Sequence, residues 1–254
     1  MSTGPAAVHI QNLRKTFDGK EYILNGLNLD IPAGKITCII GFSGTGKSVL
    51  LKHILGLLKP TSGTIKVLGR DLWKMSDNEL IKMRTRLGVL FQNAALFDDM
   101  TVFENVEFPL REHRPQLSKK QWFEIIKQKL DAVGIESKHY NKLPSELSGG
   151  MRKRVGLARA LALDPEIILY DEPTTGLDPI LTEVVDDLIN DTHKAHPGST
   201  SIVISHDLFA AFRISDYIVM LNKGGVLLAG KPEVFHTSDN ELVQKFLSKG
   251  LKQG

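Results

Sequence analysis

Residues 36 to 48 read Ile-Thr-Cys-Ile-Ile-Gly-Phe-Ser-Gly-Thr-Gly-Lys-Ser, and this stretch decides the fold. Ile36 to Ile40 is an apolar run of the kind a buried strand shows. Gly41 to Ser48 then matches G-x-x-x-x-G-K-[ST]. From Val49 to Leu57 apolar residues return at helical spacing (Leu50, Leu51, Ile54, Leu55), with Gly56 as a stop. A glycine-rich loop between a strand and a helix is a cradle for phosphate. Its glycines let successive backbone N–H groups point inward, and the helix adds unpaired N–H groups and a positive dipole end. Gly41, Phe42, Ser43, Gly44, Thr45 and Gly46 would form the cradle, Lys47 would reach the β- and γ-phosphates, and the Ser48 hydroxyl would ligate magnesium. A tight turn alone explains one or two glycines, but not Lys-Ser at this phase.

Around this loop lies an ordinary globular composition. The chain has 254 residues, 42% hydrophobic and 24% charged, with a net charge of +3. That balance is too mild to indicate a nucleic-acid binder. One cysteine, Cys38, cannot make an internal disulfide and reads as a small buried hydrophobe. The N-terminus has no apolar run after a basic start, and no stretch approaches a membrane span. A cytoplasmic location is expected.

Strands are expected at Val8–Leu13, Thr64–Leu68, Gly88–Phe91, Ile167–Tyr170 and Ser201–Ile204, and a hairpin around Asn222-Lys-Gly-Gly225. Capping boxes start helices at Ser76 with Glu79, running to about Leu87, and at Ser118 with Gln121, closed by Gly134. A short helix is expected over Glu241 to Lys249, with Leu242, Phe246 and Leu247 on one side. Strands dominate both ends, whereas about 93 to 162 is mostly helical. The expected fold is α/β: one domain over 1–254, its core at about 1–92 and 163–254, with a helical subdomain inserted at about 93–162.

Ile167-Ile-Leu-Tyr-Asp-Glu-Pro173 is an apolar strand ending in two carboxylates. Adjacent strand residues face opposite ways, so Asp171 and Glu172 need not do the same job. Asp171 is expected to hold the magnesium shell, and Glu172 to polarise a water aimed at the γ-phosphate. Leu147-Ser-Gly-Gly150 supplies a second place for an anion, with Ser148 as N-cap of a helix from Met151 to Leu161. Taken alone, these residues also fit a plain capped helix with Arg152, Lys153, Arg154 and Arg159 in solvent.

The order of these motifs (phosphate loop, Leu-Ser-Gly-Gly, Asp-Glu strand, Gly176-Leu-Asp-Pro179, Ser205-His206) resembles the ATP-binding cassette family over nearly the whole chain. The resemblance implies a P-loop NTPase (RecA-like) core with N-terminal antiparallel strands, ATP and Mg2+ as ligands, and ATP hydrolysis. It implies that Ser148, Gly149 and Gly150 of one copy cap the nucleotide of a second copy. It further implies that Phe17 stacks on adenine, that Gln92 senses magnesium and the attacking water, that Asp178 signals across the dimer, and that His206 contacts the γ-phosphate and steadies Glu172. An aromatic at Phe17 could equally be core. Met151 stands where the family's signature most often has Gln, so polar contacts from that side chain are absent.

Met151, the stretch Phe91 to Glu112 and Tyr170 to Ile180 together resemble the lipid-trafficking branch that works with MCE proteins, the maintenance-of-lipid-asymmetry type. Two permease subunits, an MCE-type protein across the membrane and a peripheral position on the inner membrane follow from that resemblance, which also leaves room for a small cytoplasmic regulatory subunit. Leu96, Phe97, Met100 and Phe103 would line the groove for a permease helix, or belong to the core of the helical stretch. The other function classes are an ATPase for another solute and a soluble cassette ATPase acting on DNA or ribosomes. No long coiled-coil insertion separates Ser48 from Leu147 and only one motif set is present, which argues against the soluble class.

Overall fold

The computed structural model describes residues 5–250. It opens with the antiparallel pair β1 (Ala6–Thr16) and β2 (Tyr22–Pro32). Val8, Ile10 and Leu13 of β1 turn inward, with a bulge between Ile10 and Leu13 resetting the alternation. Next comes β3 (Ile36–Gly41), buried along its whole length, and then α1 (Lys47–Ile54). α1 ends three residues short of the expected Leu57, its chain turning at Gly56 with φ +64. β4 (Ser62–Val67) and β5 (Arg70–Asp71) complete a first sheet of order β2-β1-β4-β5.

The Ser76–Glu79 capping box does start α2 (Asp77–Arg84), but the helix stops before the expected Leu87. That residue already pairs with Ile167 in β6 (Leu87–Leu90), so sheet pairing takes the segment. Three helices follow: α3 (Val102–His113), α4 (Lys119–Ala132) and α5 (Gly149–Leu161). α4 starts at its Ser118–Gln121 box, and α3 starts at a further box, Thr101 with Glu104.

Beyond them come β7 (Ile167–Asp171), α6 (Pro179–Ala195), β8 (Thr200–Ile204), α7 (Leu208–Ile214), β9 (Tyr217–Asn222), β10 (Gly225–Gly230), α8 (Pro232–His236) and α9 (Glu241–Gly250). Strands therefore do not dominate this end. α6, at 17 residues, is the longest helix among the described residues, started by the Asp178 cap and by Pro179 at its first position. Lys223 and Gly224, both at positive φ, make the two-residue turn between β9 and β10.

The second sheet has the order β10-β9-β3-β8-β7-β6, parallel except for β10. One apolar cluster lies between this sheet and α3, α4, α5, α6, α7 and α9; the other fills the space between the two sheets and around α1. Cys38 belongs to the first, is fully buried, and burial pushes its thiol pKa up. α9 buries Val243, Phe246 and Leu247, whereas Leu242 is 39% exposed. Val243 takes the inward place expected of Leu242 because it stands three and four residues before the other two.

Because the strands run parallel, the residues that follow β3, β8, β7 and β6 emerge along one edge. Those residues are the phosphate loop, Ser205-His206, Asp171-Glu172 and Phe91-Gln92. Ligands of open α/β sheets bind at this carboxyl edge.

Candidate functional site

At the end of β3 the chain itself demands glycine. A Cβ on Gly41 would stand 2.6 Å from the Leu221 carbonyl oxygen, and one on Gly46 2.8 Å from Leu24 Cδ2. Gly41, Gly44 and Gly46 all have positive φ, the conformation that turns amides inward. Thr45 Oγ1 donates to the Phe42 carbonyl at 2.9 Å, and the Phe42 ring meets Phe246 of α9 edge-on at 5.0 Å. Ser43, Gly44 and Ser48 are exposed. Lys47 is only 6% exposed, and its Nζ donates to the Gly41 and Phe42 carbonyls at 2.9 and 3.2 Å. Burial lowers the pKa of this ammonium despite the nearby charges of Glu172 and Asp171. α1 starts on Gly46 with no side-chain cap and no acidic residue in its first turn. The loop therefore gathers N–H donors and a desolvated cation whose hydrogen bonds go to backbone carbonyls.

β7 packs against α1 and delivers two carboxylates beside that cation. Burial, then the neighbouring Glu172 charge, raises the Asp171 pKa. Strand alternation does not separate the two residues as the sequence suggested. β7 ends at Asp171, and Glu172 sits outside it in a left-handed conformation, φ 46°. Its N–H donates to the Ile204 carbonyl at 3.0 Å, and its Oε2 accepts from Thr175 Oγ1 at 3.1 Å. His206 Nδ1 lies 3.7 Å from the same Oε2. A non-glycine residue held at positive φ stores backbone strain, and such strain gathers at functional sites.

Gln92 and Asn93 lie exposed on the loop after β6, which Ala94 and Ala95 carry through positive φ. Asn105 is fully buried and braces this loop, accepting from the Phe97 amide and donating to the Phe97, Met100 and Thr101 carbonyls. Arg159 donates to the Ala94 carbonyl at 2.9 Å and lies over the Phe97 ring. Of the four residues expected to line a groove here, Phe97 does so, in a surface cavity of about 550 Å³ with Phe91, Phe108 and Leu163. Leu96 and Phe103 pack instead against the core, and Met100 is part-buried outside that cavity.

Ser148 caps α5, accepting from the Met151 amide at 3.2 Å, and the helix starts at Gly149 rather than Met151. The basic residues that follow do not all stand in solvent. Lys153 is 6% exposed and donates to the Pro173 carbonyl. Arg154 donates to the Val133 carbonyl at 2.8 Å, and Arg152 to the Leu147 carbonyl at 2.8 Å. Helical spacing marks Lys153 as inward, since Gly156 and the fully buried Leu157 follow at three and four residues. Among the described residues no hydrogen bond joins 147–151 to 41–48. A cavity of about 340 Å³ does bring Gly149 and Lys153 together with Gln92, Thr175 and Gly176.

The remaining expected residues fall as follows. Asp178 caps α6, its Oδ1 accepting from the Leu181 amide at 2.9 Å. Phe17 is 64% exposed with Lys15 Nζ over its ring at 5.0 Å, which removes the core alternative. Thr175, Lys153, Asn105 and Arg159 shape the site without having been singled out as part of it.

The ABC transporter family model matches residues 24–175. The chain is 44% identical over 97% of its length to the intermembrane phospholipid transport system ATP-binding protein MlaF of Haemophilus influenzae, and covers 92% of that protein. It is 43% identical over 95% of its length to a probable ribonucleotide transport ATP-binding protein of Mycobacterium leprae, of which it covers 69%; the equivalent Mycobacterium tuberculosis protein is covered to 66%. Among solved structures, a dimeric ATP-binding cassette bound to ADP and Pi matches with a TM-score of 0.79 at 35% identity, over 88% of this chain and 98% of that one.

Proposed function

This chain belongs to the ABC transporter family, and from that premise we propose that it is the ATP-hydrolysing subunit of a membrane transporter that moves phospholipid. ATP binding and hydrolysis come with the family. One observation carries the assignment of parts: Lys47, desolvated and hydrogen-bonded to backbone carbonyls, stands at the sheet edge where Asp171-Glu172, His206 and Gln92 also emerge. In this reading the cradle of Gly41 to Ser48 holds the phosphates and the exposed face of Phe17 takes the adenine. Glu172 accepts the proton of a water as it attacks the γ-phosphorus, and the bond to the β-phosphate oxygen breaks to release ADP. Thr175 occupies one carboxylate oxygen and leaves Oε1 for the water; His206 steadies the pair.

Mg2+ fits the donors present. Among the described residues no three His, Cys, Asp or Glu side chains gather into a metal cage. An exposed serine hydroxyl, a half-buried carboxylate and a glutamine amide instead suit a hard cation that keeps waters and shares phosphate oxygens. Ser48, Asp171 and Gln92 would hold it. When bound it neutralises phosphate charge, which two adjacent carboxylates would otherwise oppose.

The second copy enters through the signature. Nothing in the chain itself requires glycine at 149 or 150, where an added Cβ would meet no atom closer than 3.9 Å. That fits close approach by another molecule, with Asp178 at the same interface, and the dimeric relative supports it. Residues 93–162 act as the helical subdomain in this reading, and the cavity beside Phe97 receives a permease helix. No helix among the described residues is long and apolar enough to cross a membrane. In this reading two separate permease subunits carry the cargo, with this subunit peripheral on the inner membrane. An MCE-type protein beyond the membrane belongs to the same proposal, on the resemblance of Met151, Phe91 to Glu112 and Tyr170 to Ile180 to the lipid-trafficking branch.

The two relatives bear names with different cargo. The phospholipid reading is favoured because the chain spans nearly all of MlaF but about two thirds of the mycobacterial proteins. Purifying the complex from native membranes tests it. Permease and MCE-type subunits with bound phospholipid are expected; a periplasmic sugar- or amino-acid-binding protein in their place would overturn the cargo and leave the ATPase intact.

A further inference from the structure

The cost of burying a lysine is high unless its charge finds a partner. Lys153 finds none. It is 6% exposed, and burial alone lowers its pKa, with no carboxylate contributing. Its Nζ donates to a backbone carbonyl, that of Pro173. Pro173 directly follows Glu172, and the two residues after it, Thr174 and Thr175, close the turn: Thr175 returns its amide to the Glu172 carbonyl at 3.2 Å and its hydroxyl to the Glu172 carboxylate at 3.1 Å. Glu172 is thus held at positive φ by a turn whose far side is gripped from α5. An apolar side chain of the same length would fill the space without the desolvation cost, and buried charges replaced in this way often leave the fold as stable or more so.

We propose that Lys153 is a positioning residue for hydrolysis: through the Pro173 carbonyl it fixes the turn that aims Glu172. Ser148 caps α5, so any shift of the signature end of that helix reaches the turn at Glu172 through the Lys153–Pro173 hydrogen bond. The inference rests on Glu172 being the base, a reading tested separately by Glu172→Gln alone.

The experiment compares Lys153→Met in the otherwise unchanged chain and in the Glu172→Gln chain, as the full protein with Mg-ATP. With Glu172 present, kcat is expected to fall about tenfold to a hundredfold, the scale on which misplacing a reacting group acts. KM should stay within about twofold and Tm should not fall. On the Glu172→Gln background the residual rate should not change, because a residue acting through Glu172 has nothing left to aim. An unchanged kcat, an equal loss on both backgrounds, or a lowered Tm with weakened ATP binding would each overturn the assignment.

Discussion

Two glycine-led helices, α1 and α5, differ in what their glycines are for. Ahead of α1, the chain's own atoms leave no room for a side chain at Gly41 or Gly46. At the start of α5 there is room for a side chain at Gly149 and Gly150, where an added Cβ would meet its nearest atoms at 3.9 Å, an ordinary contact. The phosphate loop is thus finished within one chain, whereas the signature carries small residues that its own fold does not need. The caps set α5 apart from α2, α3 and α4 as well. α2, α3 and α4 each close their first turn with a reciprocal box, but α5 has Met151 where the returning side chain would stand. Its first amides stay available. A surface that is costly to leave open, and serves nothing internal, points outward.

The largest expected effect tests the chemistry that both helices serve. Glu172→Gln should retain ATP binding and lose about two to four orders of magnitude in turnover, with ATP holding a dimer that shifts in sizing chromatography. Turnover at the unsubstituted rate would remove Glu172 as base. Next comes the division between chains. Lys47→Ala should weaken ATP binding about tenfold to a hundredfold by removing a charge-assisted contact, whereas Ser148→Arg should leave binding by its own phosphate loop intact. Mixing the two on a Glu172→Gln background creates one composite site with both parts whole, and occluded ATP should appear there alone. Mixed dimers without occlusion would show that the signature does not serve a neighbour.

Much of this was readable before any coordinates. Gly41 to Ser48 declared itself because strand, loop and helix are contiguous, and the boxes at Ser76 and Ser118 because a cap is a local signal. The box at Thr101 and the Asp178-Pro179 start of α6 carry the same kind of local signal. Other features are not local at all. That β3 lies between β8 and β9 depends on segments more than 150 residues apart, and no periodicity records such pairing. The left-handed turn at Glu172 depends on Ile204 and Thr175 as much as on its own residue type. Lys153 was legible in principle from its apolar face, but its charge argued for solvent.

Glycine replacements sharpen the contrast with smaller effects of opposite sign. Gly46→Ala should cost about 1–3 kcal/mol through strain and the contact with Leu24, lowering Tm by roughly 2–4 °C for each kcal/mol in a chain of this size. Gly150→Ala should add about 0.5–1 kcal/mol of stability, seen as a slightly higher Tm, because alanine suits a helix better than glycine, yet it should hinder ATP-driven dimerisation. Equal destabilisation at both positions would erase the distinction. The smallest expected change is Met151→Gln, which completes the box on α5 and should add roughly 0.5 kcal/mol, measured as a small rise in Tm.

The place of β3 in the sheet sets a schedule for synthesis. The strand that leads into the phosphate loop is made well before both of its hydrogen-bonded neighbours, β8 and β9, which lie in residues 200–222. Until those residues leave the ribosome, a wholly buried strand has two bare edges and its loop has no Leu221 carbonyl to shape it. α3, α4 and α5, whose contacts with one another are nearby in sequence, can settle first. The nascent chain therefore waits for β8 and β9 before its phosphate loop takes shape, and through that wait Ile36 to Ile40 is an exposed apolar segment of the kind chaperones cover.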